Sequence, residues 1–213
     1  MATTISRSPL GEQVYLQLLQ RIERGELPTG SKLRDATIAA ELGVSRTPVR
    51  EAMVRLAREG VLAAEPGRGF RLAPMSAAEV REIGSILAAL EPLALDQSVE
   101  PRAEQLTRLG EVVRRLEQTR GDIAACVELD DRFHRVLLEG CANRRLLRLV
   151  ETLRAGLRRY LHHYLQRGRR VSLSTLQHTR IADALTKGDR PGARQLLERK
   201  WRRGMEEIEG ALR

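Results

Sequence analysis

The sequence predicts a mainly α-helical protein, in which three short helices and a β-hairpin precede an all-helical bundle of about six helices. Aromatic residues make up only 3% of the 213 residues, which disfavours a β-sandwich, whereas apolar residues reach 42% and suffice for a packed core. Apolar side chains also recur at helical spacing along most of the chain. Turn signals are dense only up to residue 74, so we expect one domain over residues 1–75 and a second over residues 76–213.

The first elements are short and are separated by glycine and proline. A helix is predicted over residues 13–24, and it ends at the extended bend GELPTGSKL. A second helix over residues 35–42 is followed by Gly43, the residue type that most readily accepts a left-handed conformation at a helix end. A third helix is expected to begin at Ser45 or Thr47, both of which are good N-caps. This helix–glycine–helix spacing is typical of a helix-turn-helix unit.

After residue 60 the hydrophobic period changes from that of a helix to that of a strand. Strand-like segments over residues 61–64 and 70–73 flank EPGRG, a glycine-rich turn. They predict a β-hairpin whose tip carries Arg68 between two glycines. An arginine in this position can reach the backbone or the minor groove of DNA.

The third helix separates an apolar face from a basic one. Its apolar stripe is expected to pack on the preceding helices and consists of Val49, Ala52, Met53 and Leu56. Arg46, Thr47 and Arg50 lie off this stripe, near the helix N-terminus, where arginine can bind guanine in the major groove and free N–H groups can bind phosphate. Two arginines on a helix are usually just a solvated face. Together with the basic hairpin and a net charge of +9, they predict a DNA-binding winged helix-turn-helix.

Residues 10–73 resemble the GntR-type winged helix-turn-helix. The matching segments are GELPTGSKLR, LGVSRTPVREAMVRLAREGVL and GRGF. The resemblance implies that the domain binds double-stranded operator DNA and that Arg46 and Arg50 read bases. The residues that it implies as DNA contacts are Arg34, Ser45, Arg46, Thr47, Pro48, Arg50, Gly67 and Arg68.

The second part of the chain is helical throughout. Its predicted helices are separated by glycine and proline and cover residues 77–99, 102–119, 122–139, 143–167, 172–187 and 190–210. Four polar residues occupy positions within the apolar stripes of these helices, namely Asp130, His134, His178 and Lys200. A buried carboxylate or imidazole needs a partner. Two interpretations stay open: a self-satisfied buried network, or a site at Asp130, His134 and His178 for a divalent metal such as zinc.

This second part resembles the all-helical FCD-type effector domain of the FadR subfamily. The matching segments are ALEPLA, DDRFH, LLRLVETLRAGLRRY and QHTRIADAL, together with Asn143. Relatives that bind metal use one Asp and three His, and Lys200 occupies the third His position here. The resemblance therefore implies one of two arrangements. Either Lys200 replaces the metal and anchors an anionic effector with His134 and His178, or its charge extends to solvent and leaves a three-ligand metal site.

An arginine-rich segment over residues 144–170 adds to the predicted effector site. Most of these arginines are expected to be solvated, but Arg154 and Arg158 lie beside an inward apolar seam and can reach an anionic ligand. The predicted effector site is therefore Asp130, His134, Arg154, Arg158, His178 and Lys200.

We predict a transcription regulator, acting as a repressor, that binds operator DNA as a homodimer and responds to a small organic acid. One winged domain reads only a short half-site, and two-fold symmetry supplies the second. The alternatives are a metal-dependent hydrolase carrying a DNA-binding domain, and a nonspecific chromosome-associated protein. No nucleophile elbow, phosphate loop or separate general base is visible, so we do not predict an enzyme.

The expected location is the cytoplasm. Residues 1–9 are polar and lack the apolar core of a signal peptide, and no apolar run is long enough to span a membrane. The two cysteines, Cys126 and Cys141, form no CxxC motif and are expected to be reduced structural thiols.

Overall fold

The computed structural model describes residues 9–23, 26–27, 30–119, 121–166 and 172–212. The chain divides into two compact units, Met1–Met75 and Ser76–Arg213. The described residues form nine α-helices and three short β-strands, which confirms the predicted mainly α fold. In chain order the elements are α1 (Leu10–Glu23), β1 (Lys32–Leu33), α2 (Asp35–Leu42), α3 (Arg46–Arg58), β2 (Leu62–Glu65), β3 (Gly69–Leu72), α4 (Ala77–Asp96), α5 (Ala103–Gln118), α6 (Ile123–Leu138), α7 (Arg144–Gln166), α8 (Ser172–Thr186) and α9 (Arg190–Leu212).

Helices α1, α2 and α3 enclose the core of the first unit. The predicted apolar stripe of α3 is confirmed, because Val49, Ala52, Met53 and Leu56 are each at most 2% exposed. Helix α2 ends at Gly43, which has φ 65° and so takes the left-handed conformation that the sequence predicted. Ser45 is the N-cap of α3 and has an extended backbone. The turn between the two helices therefore fixes where the N-terminus of α3 emerges.

The predicted hairpin is confirmed, with both strands shifted slightly along the chain. Strands β2 and β3 pair antiparallel from Leu62↔Leu72 to Glu65↔Gly69. The sequence did not predict β1, which pairs with the other edge of β3 and gives the order β1-β3-β2. A two-residue strand inside a Gly- and Pro-rich bend shows no period, so pattern analysis cannot find it. Its effect is to bring Arg34 close to the hairpin.

The second unit is a bundle of the six helices α4 to α9. Helix α4 packs most extensively against α9, and Gly84 permits the close approach: a Cβ atom there would lie 2.0 Å from Met205 Cγ. The bundle core contains the fully buried side chains Leu87, Leu109, Phe133, Leu137, Tyr160, Ile181 and Leu197. Cys126 and Cys141 are buried free thiols. Among the described helices, none combines the length and apolar character needed to cross a membrane.

Candidate functional site

The first candidate surface is a groove between α3 and the hairpin. It has a volume of about 700 Å³, and its basic lining residues are Lys32, Arg34, Arg46, Arg50 and Arg68. Gly67, at the hairpin tip, lines it as well. Helix α3 presents its N-terminal turn to this groove while β1 positions Lys32 and Arg34 beside the hairpin. Cations from three separate elements of the first unit thus share one concave surface.

The remaining predicted contacts, Ser45, Thr47 and Pro48, lie at the start of α3. Thr47 is exposed and lines a neighbouring depression together with Arg46 and Arg50. Ser45 is exposed at the N-cap of α3. Pro48 differs, because it is buried in the first turn of α3, where proline's missing N–H removes no helix hydrogen bond. Its burial does not agree with a direct side-chain contact to DNA.

Two acidic residues line this groove, Asp35 and Glu65, and the sequence predicted neither as a site residue. Arg46 Nη2 donates to Asp35 Oδ1 at 3.0 Å and to Oδ2 at 3.1 Å, and Arg50 Nη1 lies 3.7 Å from Oδ2. The hydrogen bond from Arg46 lowers the pKa of Asp35 below its ordinary value, so the carboxylate stays charged at neutral pH. Both predicted base-reading arginines therefore face the same carboxylate.

The second candidate site is a buried polar network inside the helical bundle. The structure brings together Asp130 and His134 from α6, His178 from α8 and Lys200 from α9. Arg154 of α7 lies at the centre and donates to Asp130 Oδ2 and Asp131 Oδ1, each at 2.8 Å. It also donates to Glu91 Oε1 of α4 at 3.4 Å. Arg158 pairs with Asp131.

The charges of this network balance. Glu91, Asp130 and Asp131 supply three carboxylates, while Arg154, Arg158 and Lys200 supply three cations. Burial by itself would lower the pKa of Arg154, but the three carboxylates raise it above its ordinary value. Burial would likewise raise the pKa of Asp130, but Lys200, Arg154 and His178 lower it well below the usual range. Arg154 and Asp130 therefore stay charged although both side chains are largely buried.

His134 is held in one neutral tautomer. Burial, together with the charges of Arg154 and Lys200, lowers its pKa from 6.5 to about 3, although Glu91 acts in the opposite direction. At pH 7 its Nδ1–H donates to Glu91 Oε2 at 2.6 Å. The unprotonated Nε2 then accepts from Lys200 Nζ at 2.9 Å. Since His134 is neutral, Arg154 is the cation that compensates Glu91.

The three side chains that the sequence offered as metal ligands lie close together. Asp130, His134 and His178 each offer a ligand atom, and these atoms lie within 4.8 Å of one another. Lys200 Nζ lies 2.9 Å from His134 Nε2 and 3.4 Å from Asp130 Oδ1. A divalent ion bound to the same atoms would lie a few ångströms from this ammonium, which costs several kcal/mol even at an effective dielectric of about 20. The set does not fit a divalent metal while Lys200 is in place.

A cavity of about 90 Å³ opens beside the network. A water molecule requires roughly 10–15 Å³ by this measure, so the space suits a ligand of a few heavy atoms. Of the six predicted effector residues, the four that line the cavity are Asp130, Arg154, Arg158 and Lys200. His134 and His178 lie behind them and are 1% and 0% exposed. The rest of the wall includes Leu157, Leu161, Gln177, Trp201, Arg203, Met205 and Ile208.

Three further members of the network were not predicted as site residues. They are Glu91, Asp131 and Trp201, whose indole Nε1 donates to Glu91 Oε2 at 2.8 Å. Glu91 had a usable signal, because it is the only acid in the apolar run ILAALEPLAL, and a lone carboxylate there needs a buried cation. Asp131 follows Asp130 directly and had no distinguishing pattern.

We expect the second unit to lose stability as the pH falls from 7 to 4. The unfolded chain protonates His134 near its ordinary value of 6.5, whereas the folded chain does so only near 3, so acid favours unfolding in this window. Glu91, whose pKa is lowered from 4.5 to about 2 by His134 and Arg154 against the effect of burial, adds a further loss below pH 4.5. Urea unfolding followed by Trp201 fluorescence at several pH values measures this slope. A His134→Gln variant with an unchanged slope between pH 6.5 and 5 would contradict the assignment.

The two units match two known protein families. Residues 10–72 match the bacterial regulatory proteins of the gntR family, and residues 82–203 match the FCD domain. The chain belongs to the GntR family of bacterial regulators. As a GntR-family protein with an FCD effector-binding domain it is a transcriptional regulator and not an enzyme, and the hydrolase alternative receives no support.

Relatives and solved structures agree with this GntR assignment. The chain is 34% identical over 151 residues to an uncharacterised HTH-type transcriptional regulator, YdhC, of Bacillus subtilis, covering 68% of this chain and 66% of that protein. It is 30% identical over 204 residues to an HTH-type transcriptional regulator in an unstable DNA locus of Streptomyces ambofaciens, covering 92% and 84%. The fold of E. coli McbR/YncC matches with a TM-score of 0.83 at 24% identity, over 97% of this chain and 100% of that one.

Proposed function

We propose that this GntR-family regulator is a repressor that binds an inverted-repeat operator as a homodimer and responds to a small organic acid in its FCD domain. The observation that carries the DNA-binding part is the groove where Arg34, Arg46, Arg50 and Arg68 meet. Basic side chains on a helix N-terminus and on a neighbouring hairpin match the requirements of a duplex, whose major groove admits a helix and whose phosphates flank it.

Within this groove we assign different roles to the arginines. Arg46 and Arg50 are 64% and 70% exposed on the first turns of α3, so their guanidinium groups are accessible to guanine in the major groove. Arg68 follows the tip glycine of the hairpin, where it suits the backbone or the minor groove. Arg34, Ser45 and Thr47 lie at the helix starts and suit phosphate contacts, since free N–H groups collect there.

The effector part of the proposal rests on the cavity beside Lys200. Lys200 and Arg158 line it and are 12% and 27% exposed, so each can turn a donor toward a ligand there. Apolar side chains line the same cavity, among them Leu157, Met205 and Ile208. An organic acid of a few carbon atoms can contact both the cations and the apolar side chains. His134 and His178 do not line the cavity, and we assign them the role of holding Lys200 and Asp130 in place.

We further propose that the site works without a metal. The Lys200 ammonium occupies the position toward which His134 Nε2 and Asp130 Oδ1 both point. It supplies there the positive charge that a metal ion would otherwise supply.

Two-fold symmetry is the reason for proposing a homodimer. A single winged domain contacts one short half-site, and a second copy supplies the other about one helical turn away. Ile86 and Leu93 share an outward face of α4 and are 44% and 43% exposed, which makes this face a candidate for contact with the second copy. Because its target is the bacterial chromosome, we assign the protein to the cytoplasm.

Selection of bound sequences from random duplex tests the proposal. We expect an inverted repeat whose half-sites are centred about 10 base pairs apart or a multiple of this. Organic acids are then screened for release of the selected operator, with Lys200→Met as the matched variant that keeps the aliphatic stem. Enrichment of no sequence would contradict specific binding and favour a nonspecific chromosome-associated protein. Release of the Lys200→Met variant by the same acid at the same concentration would contradict the effector site.

We expect Arg46→Ala and Arg68→Ala to weaken operator binding in different ways. Arg46→Ala is expected to cost about 1–3 kcal/mol on the operator and to relax the preference at one base pair. Arg68→Ala should weaken all sequences about evenly and reduce the salt slope by about one unit. Fluorescence anisotropy on the operator, on single-base variants and at several salt concentrations measures both. Intact discrimination in Arg46→Ala would show that α3 is not the reading helix.

A further inference from the structure

Of the two acids that line the groove of the first unit, Asp35 and Glu65, Asp35 is the one that faces Arg46 and Arg50. Asp35 is the first residue of α2, and its side chain is only 17% exposed. It lines the same groove as Arg46 and Arg50. A carboxylate facing a polyanion lowers the affinity for DNA. We therefore looked for an effect of Asp35 on something other than the affinity for DNA.

The geometry of the contact indicates such an effect. Both hydrogen bonds from Arg46 to Asp35 come from a single nitrogen, Nη2, at 3.0 and 3.1 Å. The two other nitrogens of that guanidinium, Nη1 and Nε, are not engaged by Asp35. Asp35 Oδ1 also accepts from the backbone N–H of Ala36 at 2.8 Å, which ties the carboxylate to the start of α2. One edge of Arg46 is thus anchored to a rigid helix.

We infer that Asp35 is a positioning residue that makes Arg46 selective for a base rather than for any phosphate. A free arginine on a helix surface has a long flexible stem and binds whichever anion is nearest. The anchored guanidinium has its orientation restricted in advance, so less conformational freedom is lost when it meets a guanine edge.

The same contact disfavours wrong sequences. When the base facing Arg46 lacks suitable acceptors, the Arg46–Asp35 pair is desolvated against the DNA without new hydrogen bonds, and the Asp35 charge stays close to the phosphates. Correct and incorrect sites therefore differ by more than the arginine–guanine bonds alone. Asp35 lowers affinity in general and raises discrimination at one base pair.

The test compares Asp35→Asn with the wild type in the full-length chain, on the selected operator, on operators changed at the Arg46 base pair, and on random duplex. Asparagine keeps an oxygen for the Ala36 N–H, so α2 retains its first-turn contact. We expect the affinity for random duplex to rise, because one negative charge is lost. We expect discrimination at the Arg46 base pair, which is roughly 5- to 150-fold for one arginine–guanine pair, to fall below about threefold. The salt slope should steepen by about one unit, since the released Arg46 can contact a phosphate.

Glu51→Gln is the matched control. Glu51 is an exposed acid on α3 in the depression next to the same arginines, so its loss raises the affinity for random duplex but leaves discrimination and the salt slope unchanged. In an Arg46→Ala background, Asp35→Asn should leave discrimination at the remaining base pairs unchanged, whereas a purely structural role of Asp35 would still reduce it.

The inference rests on the proposed DNA-binding function, and the two fail differently. If the wild type enriches no sequence, the proposed function is wrong. If the wild type discriminates and Asp35→Asn discriminates equally well, the inference about Asp35 is wrong. A uniform loss of affinity for all duplexes in Asp35→Asn, with unchanged discrimination, would also overturn it.

Discussion

Replacing Arg154 by Met should lower the free energy of unfolding of the FCD domain by about 3–5 kcal/mol. Arg154 is 8% exposed and donates to three carboxylates on two helices, namely Glu91, Asp130 and Asp131. Methionine fills similar space but supplies no charge. Glu91 then keeps only neutral partners in His134 and Trp201, and the cost of a buried unpaired carboxylate is large.

Urea unfolding at fixed protein concentration measures this loss. Trp201 is the one tryptophan in the sequence and lies in the network, so its fluorescence follows the FCD domain separately from the DNA-binding domain. Arg194→Met is the matched control. Arg194 also pairs with two carboxylates, Asp96 and Glu198, but its side chain is 41% exposed, and we expect its loss to cost less than about 1 kcal/mol. Equal effects of the two substitutions would show that the network is not a desolvated ion cluster.

Replacing Lys200 by His should convert the network into a metal site. The wild type is expected to contain far less than one metal ion per chain, since the Lys200 ammonium repels a dication and hydrogen-bonds to His134 Nε2. The Lys200→His substitution removes that charge. It also adds a neutral imidazole as a fourth ligand beside Asp130, His134 and His178. One carboxylate and three imidazoles suit zinc or nickel. We therefore expect about one ion per chain in the variant.

Elemental analysis of protein purified without chelator or affinity tag measures the metal content. Lys200→Met removes the same charge without adding a ligand, and we expect it to bind metal more weakly than Lys200→His. Adding His178→Ala to Lys200→His should abolish tight binding. Stoichiometric metal in the wild type would overturn the metal-free proposal and would identify Asp130, His134 and His178 as ligands.

The DNA-binding unit was predictable in detail because its signals are local. The apolar stripe of α3, the glycine after α2 and the glycines of the hairpin each act within a few residues of their own position. The missed parts were β1 and Asp35. Strand β1 exists only because β3 offers it an edge, and Asp35 matters only because α2 places it against Arg46 of the next helix.

In the FCD domain, the inward-facing polar residues were predictable, but the place of the Lys200 ammonium was not. Helical spacing predicted that Asp130, His134, His178 and Lys200 face an interior, since a polar residue in an apolar stripe is visible in the sequence alone. Whether Lys200 points inward or toward solvent was open, because its stem is long enough for either. The structure places its ammonium against His134 Nε2 and Asp130 Oδ1.

The mainly α fold, the helix-turn-helix with its basic hairpin, and the polar positions of the bundle could all be predicted from the amino-acid sequence. These follow from local propensity and periodicity, which depend on neighbours in the chain. The pairing of Arg154 with three carboxylates, the neutral tautomer of His134 and the place of Lys200 became known only from the packing of the helices. Each of these depends on which charged groups from distant helices meet in the interior of the bundle, where burial and neighbouring ions outweigh the properties of any single residue.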